Sequence, residues 1–290
     1  MWFYAALLFS ALSALTIVAS KHTLKNVSPA VFYWALMVFQ LPLIFLYVWK
    51  TGFPSIDNTF WIAVLASVIF YTISKIMYFR IIKDALLSDV QPLVTLGPLF
   101  TLLFSFLILS EIPTSFAIAG SAVTLFGTYI LNVSSLKEGL WEPFKILFQG
   151  RLAFLMIISV LVGSIVQVFD KLAINHTFPS QFSFAILMET VATIIVMLPW
   201  VIKENKIAFR EIGASIKPLL LLGIFSAGTN LIAFFALSGG NPGLVTSLFR
   251  AQVFFVLLFS FLFFKDRPKA ETILGTIIMI LGIVIIKLGS

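Results

Sequence analysis

Leu102-Leu103-Phe104-Ser105-Phe106-Leu107 and Leu257-Leu258-Phe259-Ser260-Phe261-Leu262 are the same six residues, and the chain keeps their register, an offset of 155 positions, for another two dozen. Glu111 meets Asp266, Pro113 meets Pro268, Ile118 meets Ile273, Gly120 meets Gly275, Gly127 meets Gly282 and Ile130 meets Ile285. Apolar runs resemble one another by composition alone. An acid, a proline and two glycines held at fixed spacing do not, so the chain reads as two copies of one unit.

The residues around these copies are those of a membrane protein. Apolar residues make up 60% and charged residues 11% of the 290, with a mean hydropathy of +1.10, whereas about a quarter of a soluble domain is charged. The net charge of +7 does not point to nucleic acid, because the charges collect in short connections between apolar runs, where Lys and Arg set topology. The chain has no cysteine, which excludes a disulfide framework, a thiol nucleophile and a CxxC metal site. His22 and His176 are its only histidines and both fall at predicted helix ends, so HExxH zinc chemistry is absent. No cofactor is expected.

A span needs roughly 20 apolar residues to cross about 30 Å of hydrocarbon. Ten segments meet or approach that length: 2-20, 30-49, 60-80, 88-110, 115-132, 152-173, 180-202, 217-238, 243-264 and 270-288. The first could be a signal peptide, but it lacks a basic start and Ile17-Val18-Ala19 is a poor cleavage site. Lys21 and Pro29 after the first segment also match Lys171 and Pro179 after the sixth, eight residues apart in both. The first segment is therefore read as a retained helix.

The expected architecture is all-α, integral to the membrane, with ten transmembrane helices in two five-helix repeats. Residues 1-132 form the first repeat, 133-151 a polar linker and 152-290 the second. Because five is odd, the second copy enters the membrane from the opposite side and the repeats are inverted, as in alternating-access transporters, whose substrate site lies near the midplane. Connections after odd-numbered spans carry 14 Lys and Arg, and those after even-numbered spans with the termini carry 3, namely Lys50, Lys171 and Lys287. Loop charge thus places the odd-numbered loops in the cytoplasm and both termini outside.

With these features the chain resembles the drug/metabolite transporter superfamily, and within it the ten-span EamA-type permeases. The resemblance spans essentially the whole chain. It rests on the Lys21-to-Pro29 and Lys171-to-Pro179 spacing, on Gly97-Pro98 in the fourth span, and on Glu111, Gly120 and Gly127 with their second copies Asp266, Gly275 and Gly282. It implies export or exchange of small metabolites such as amino acids across the cell membrane, through a cavity lined by spans one to four and six to nine. It also implies cytoplasmic termini, the reverse of the loop-charge reading.

Ionisable residues inside spans cost about 2.5-3.5 kcal/mol each at the centre and mark functional sites by default. Three qualify: Lys75 in span three, Glu189 in span seven and Arg250 in span nine. Glu189 and Arg250 lie at matched depth, roughly 12-14 Å from the start of their spans at about 1.5 Å per residue. One reading makes them a structural ion pair. The other gives a substrate carboxylate or phosphate to Arg250, with Glu189 orienting it or accepting a coupling proton. Lys75 either snorkels to the interface or adds a second cation to the cavity beside Tyr71. Gln167 and Asn230 are further candidates for substrate binding, although interhelical polar contact is the commoner use of such residues.

Asp170 and Lys171, at the end of span six, are expected to be solvated. Pro92, Gly97 and Pro98 are expected to interrupt span four and make it a cavity wall, and Gly120, Gly127, Gly275 and Gly282 to permit close helix contact. The function expected is secondary-active transport of a small carboxylate-bearing metabolite, with a small-molecule substrate, the lipid bilayer and a coupling proton as partners. Monomer and homodimer are both open. A channel or a non-transporting scaffold is the alternative, and a membrane-embedded enzyme fits less well because no nucleophile with a base, or paired acids, stand at one depth. With no GxxxxGK[ST] motif, accumulation would need an ion gradient or exchange.

Overall fold

The computed structural model describes residues 1–23, 27–84, 96–132, 151–204, 208–252, 254–255, 258–259 and 270–288. Helices occupy α1 (Trp2–Thr23), α2 (Pro29–Thr51), α3 (Asn58–Asp84), α4 (Gly97–Leu109), α5 (Ser115–Asn132), α6 (Arg151–Asn175), α7 (Phe182–Glu204), α8 (Ala208–Ala214), α9 (Ile216–Gly239), α10 (Pro242–Phe249) and α11 (Ala270–Leu288). Two two-residue strands, β1 (Ser55–Ile56) and β2 (Thr177–Phe178), complete them. The repeated hexapeptide is helical in its first copy. Most of its second copy, Asp266, Pro92 and the linker 133-150 lie outside the described residues.

Among the described residues, four helical stretches are long and apolar enough to cross a membrane: Ala30–Thr51, Phe154–Asn175, Phe182–Lys203 and Ile216–Gly239. The outer faces of the helices explain the composition. Ile195, Leu221, Ile277 and Leu281 are exposed, while Ser10, Ser67, Thr124, Thr190 and Thr246 are buried. That is the inverse of a soluble fold and suits a chain whose exterior meets lipid and whose small polar side chains pack between helices.

The chain forms two compact units, each assembled from both halves of the sequence: residues 1–68 with 169–239, and residues 69–168 with 240–290. In the first unit α2 runs antiparallel to α7. The Trp34 indole N–H donates to the Ile194 carbonyl at 3.1 Å, and Gln40 donates to Thr190 at 3.4 Å. At one end of α2 the apolar cluster of Val31, Ala35, Leu36, Val201, Leu219 and Leu222 closes against α7 and α9. At the other, β1 pairs antiparallel with β2, Gln181 donates to Thr51 Oγ1 at 2.7 Å and to the Gly52 carbonyl at 2.8 Å, and His176 Nδ1 stands 2.7 Å from Asp57 Oδ2.

In the second unit α5 lies along α11 and α4 along α10, both antiparallel. Glycine makes the first pairing possible. A Cβ added at Gly120 would come within 2.5 Å of the Ile286 backbone nitrogen, and one added at Gly127 within 2.7 Å of the Gly275 carbonyl oxygen, so the helices touch backbone to backbone as the repeat pattern led us to expect. On the second pairing, Asn241 caps α10 by accepting from Gly243 and Leu244. Its amide donates to Ser105 and to Glu111, both at 3.0 Å. The acid that marks the first repeat therefore anchors the start of α10 to the end of α4.

Residues 85–95 lie outside the described residues, and after them Gly97 and Pro98 open α4, with proline in the first turn where its missing N–H costs nothing. The ninth segment is not one continuous helix. Residues 250–251 form a turn in which Arg250 and Ala251 bond back three residues, to Ser247 and Leu248, which tightens the backbone and places a break at the arginine.

Candidate functional site

The acid at the centre of the seventh segment has a partner that sequence reading missed. Glu189 on α7 is 9% exposed and Asp170 on α6 is 4% exposed, and their carboxyl groups are within hydrogen-bonding reach of each other. Asp170 also accepts from the Ser67 hydroxyl of α3. Glu189 Oε1 is buried with no hydrogen-bond partner. Lys171, next to Asp170, turns elsewhere: its Nζ donates to the carbonyls of Leu237 and Ser238 at the end of α9, 2.7 Å to each.

Asp170 and Lys171 are therefore not solvated, and that expectation is corrected. The last two turns of α6 are covered by α3, α7 and the end of α9, so a position that is terminal in its own helix is interior to the unit. Asn230 falls in the same unit, half-buried on α9. It donates to Gln40 Oε1 at 2.8 Å, and Gln40 is 1% exposed and reaches Thr190, the residue after Glu189. Asn230 is thus tied into an interhelical polar chain that ends beside the buried acid.

The other sequence candidates belong to the second unit. Arg250 stands at the break after α10, half-buried, with its guanidinium against the opening turn of α4: a Cβ placed on Gly97 would lie 2.8 Å from Arg250 Nη2. Ser164 of α6 donates to the Gly97 carbonyl at 3.0 Å. Gln167, one turn further along α6, has a buried Oε1 with no hydrogen-bond partner. Tyr71 is half-buried on α3. Lys75 lies on the same helix, and its side chain is outside the described set. Glu189 and Arg250 belong to different units.

An open groove of about 690 Å³ in the first unit is lined by Tyr4, Leu8, Tyr47, Phe182, Leu231 and Phe235 among others. It holds none of the candidate residues, and its walls are almost wholly apolar, which suits lipid better than a polar metabolite.

Two segments of the chain, residues 1–133 and 151–288, match the EamA-like transporter family. The chain belongs to that family. A protein of known crystal structure is also similar, with a TM-score of 0.71 over 99% of this chain and 95% of its own at 14% identity, a likeness of fold alone. None of the curated proteins matches the sequence. As an EamA-like transporter of the drug/metabolite superfamily, the chain is a membrane transporter.

Proposed function

We propose that this EamA-like transporter is a secondary-active exporter or exchanger of the cell membrane that moves a small carboxylate-bearing metabolite, such as an amino acid, by alternating access. Its ten spans form two inverted repeats, residues 1-132 and 152-290, joined by the linker 133-151. Antiparallel packing supports the inversion. Helices that hold the same place in each repeat, α2 with α7, α4 with α10 and α5 with α11, run in opposite directions, as helices related by inversion must.

The observation that carries the substrate class is Arg250. A guanidinium held at a helix break, against the first turn of α4, is a planar cation for a carboxylate, and the same unit holds the unpartnered side-chain oxygen of Gln167. Freed backbone within a span is tolerated only where it is buried in protein or lines a cavity, and in this reading it faces the substrate. A ligand that binds the folded state raises its stability by mass action, so the test is a thermal-shift screen of the purified protein against amino acids, organic acids, sugars and phosphorylated metabolites. The reading expects carboxylate-bearing compounds to stabilise the wild type and to lose that effect in Arg250→Met. Stabilisation by neutral sugars alone, unchanged in Arg250→Met, would refute it. Saturable uptake with counterflow in liposomes would separate a carrier from a channel or scaffold.

A further inference from the structure

We propose that Asp170 and Glu189 form a binding site for one exchangeable proton, shared between their carboxyl groups. Two ionised carboxylates cannot hydrogen-bond to each other, because both would only accept, so carboxyl groups within hydrogen-bonding reach, as Asp170 and Glu189 are, bond only through a proton on one of them. Like charges at that distance in a buried setting disfavour ionisation of both, which holds the proton without fixing it. The pair therefore carries one negative charge when loaded and two when its proton leaves to water.

The second observation is the orphaned oxygen. Glu189 Oε1 is buried and takes no hydrogen bond from the protein, in a setting where buried polar atoms are nearly always satisfied. It is the atom at which a proton can arrive or depart without first breaking a contact. Asp170, by contrast, is held by Ser67. The dyad is thus asymmetric, with one fixed acid and one open to exchange.

The described ionisable groups on the surrounding elements do not neutralise the pair. On α6, Lys171 is committed to the carbonyls of Leu237 and Ser238, and His176 beyond its end faces Asp57 ahead of α3. Lys50 on α2, Lys203 on α7 and Lys217 on α9 are exposed. The tyrosines of α1 and α2, Tyr4, Tyr33 and Tyr47, bring no positive charge in any state. The side chains of Lys21 and His22 on α1 lie outside the described set.

Use of this proton as the coupling ion rests on the transport reading above, but the site itself can be tested without any substrate. The experiment is an infrared pH titration of the purified protein in sodium-free buffer, for the wild type, Glu189→Gln and Asp170→Asn. The wild type should show a carboxylic-acid carbonyl band that disappears reversibly as pH rises while the protein stays folded, and both variants should lack it. Should one variant fail to fold, the other decides, because the chain has 12 acidic residues that absorb in the same region and only a band that a folded variant lacks belongs to the pair. No band that the folded variants lack, or one lost only on unfolding, would overturn the site. A band removed by adding sodium at constant pH would mean a metal-cation site and overturn it equally. None of these outcomes depends on the substrate screen, so the proton site and the transport reading can fail separately.

Discussion

Lys171 caps the end of α9, its ammonium 2.7 Å from the carbonyl oxygen of Ser238 and equally close to that of Leu237. The last carbonyls of a helix have no partner within it, and a cation there also meets the negative end of the helix dipole. Lys171→Met would leave two acceptors stranded at a buried junction. We expect it to lower stability by about 1-3 kcal/mol, read as an earlier thermal unfolding midpoint in detergent. An unchanged midpoint would show that water satisfies the carbonyls and that the lysine holds nothing.

The glycine contacts predict a sharp contrast between two helices. Gly120→Ala would drive a Cβ to 2.5 Å from the Ile286 nitrogen and 2.8 Å from the Gly282 carbonyl oxygen, atoms of backbone that cannot swing away. The cost of such overpacking is about 1-3 kcal/mol. Gly228, inside α9, has no atom within 4 Å of its would-be Cβ, so Gly228→Ala should be neutral or stabilise by about 0.4-1 kcal/mol. Parallel thermal unfolding of the two variants checks this. Equal effects would mean that α5 and α11 do not meet at Gly120.

Outside the spans, the hydrogen bond from His176 holds the Asp57 carboxyl below the usual aspartate range, which lies near about 3.9. A folded-state value below the unfolded one means that the contact stabilises above the unfolded pKa and fades as pH falls through the folded one. Asp57 also accepts from the Phe60 N–H at the start of α3, a cap that asparagine can replace. Asp57→Asn should therefore unfold earlier than wild type at neutral pH, with the gap closing below about pH 4. A gap that persists in acid would assign the effect to something other than the carboxylate.

What the sequence disclosed and what it hid follow from one physical distinction. Gly120, Gly127 and their copies could be read because close helix contact imposes a residue type at fixed spacing, and spacing survives in a string of letters. Glu111 could be noticed as a repeated acid, but its partner Asn241 is 130 residues away and no periodicity links them. Asp170 and Lys171 were misread because they end an apolar run, where solvation is the default. Their burial is supplied by Ser67 and by the end of α9, contacts that exist only once distant segments pack. The break at Arg250 carries no glycine or proline to announce it.

Topology can be tested on a single unit, because the native chain has no cysteine. Ser55, in β1 after α2, and Ala214, after α7, are both exposed. Ser215, the next residue, is only 7% exposed and would label poorly. With inverted repeats, single cysteines at Ser55 and Ala214 should react with an impermeant maleimide from opposite sides of the membrane. Labelling of both from one side would sink the ten-span arrangement. Which of the two reacts from outside decides between the loop-charge orientation and the cytoplasmic termini that the family resemblance implies.

The last prediction separates substrate binding from folding at Arg250. A methyl group at Gly97 would stand 2.8 Å from Arg250 Nη2, and the atom it meets is the far end of a flexible side chain, not backbone. Gly97→Ala should therefore displace the guanidinium and leave the helices where they are. Alanine also suits a helix better than glycine by up to about 1 kcal/mol, so the unfolding midpoint should hold or rise. If Arg250 receives the carboxylate, a shift of about 1 Å is enough to spoil a two-bond fit, and Gly97→Ala should weaken binding of whichever carboxylate stabilises the wild type. Arg250→Lys, which keeps the charge but loses the planar fork, should do the same. Thermal shift with and without that ligand reads both quantities in one experiment. Intact ligand stabilisation in Gly97→Ala and Arg250→Lys would remove Arg250 from the site and leave it a structural part of the junction between α4 and α10.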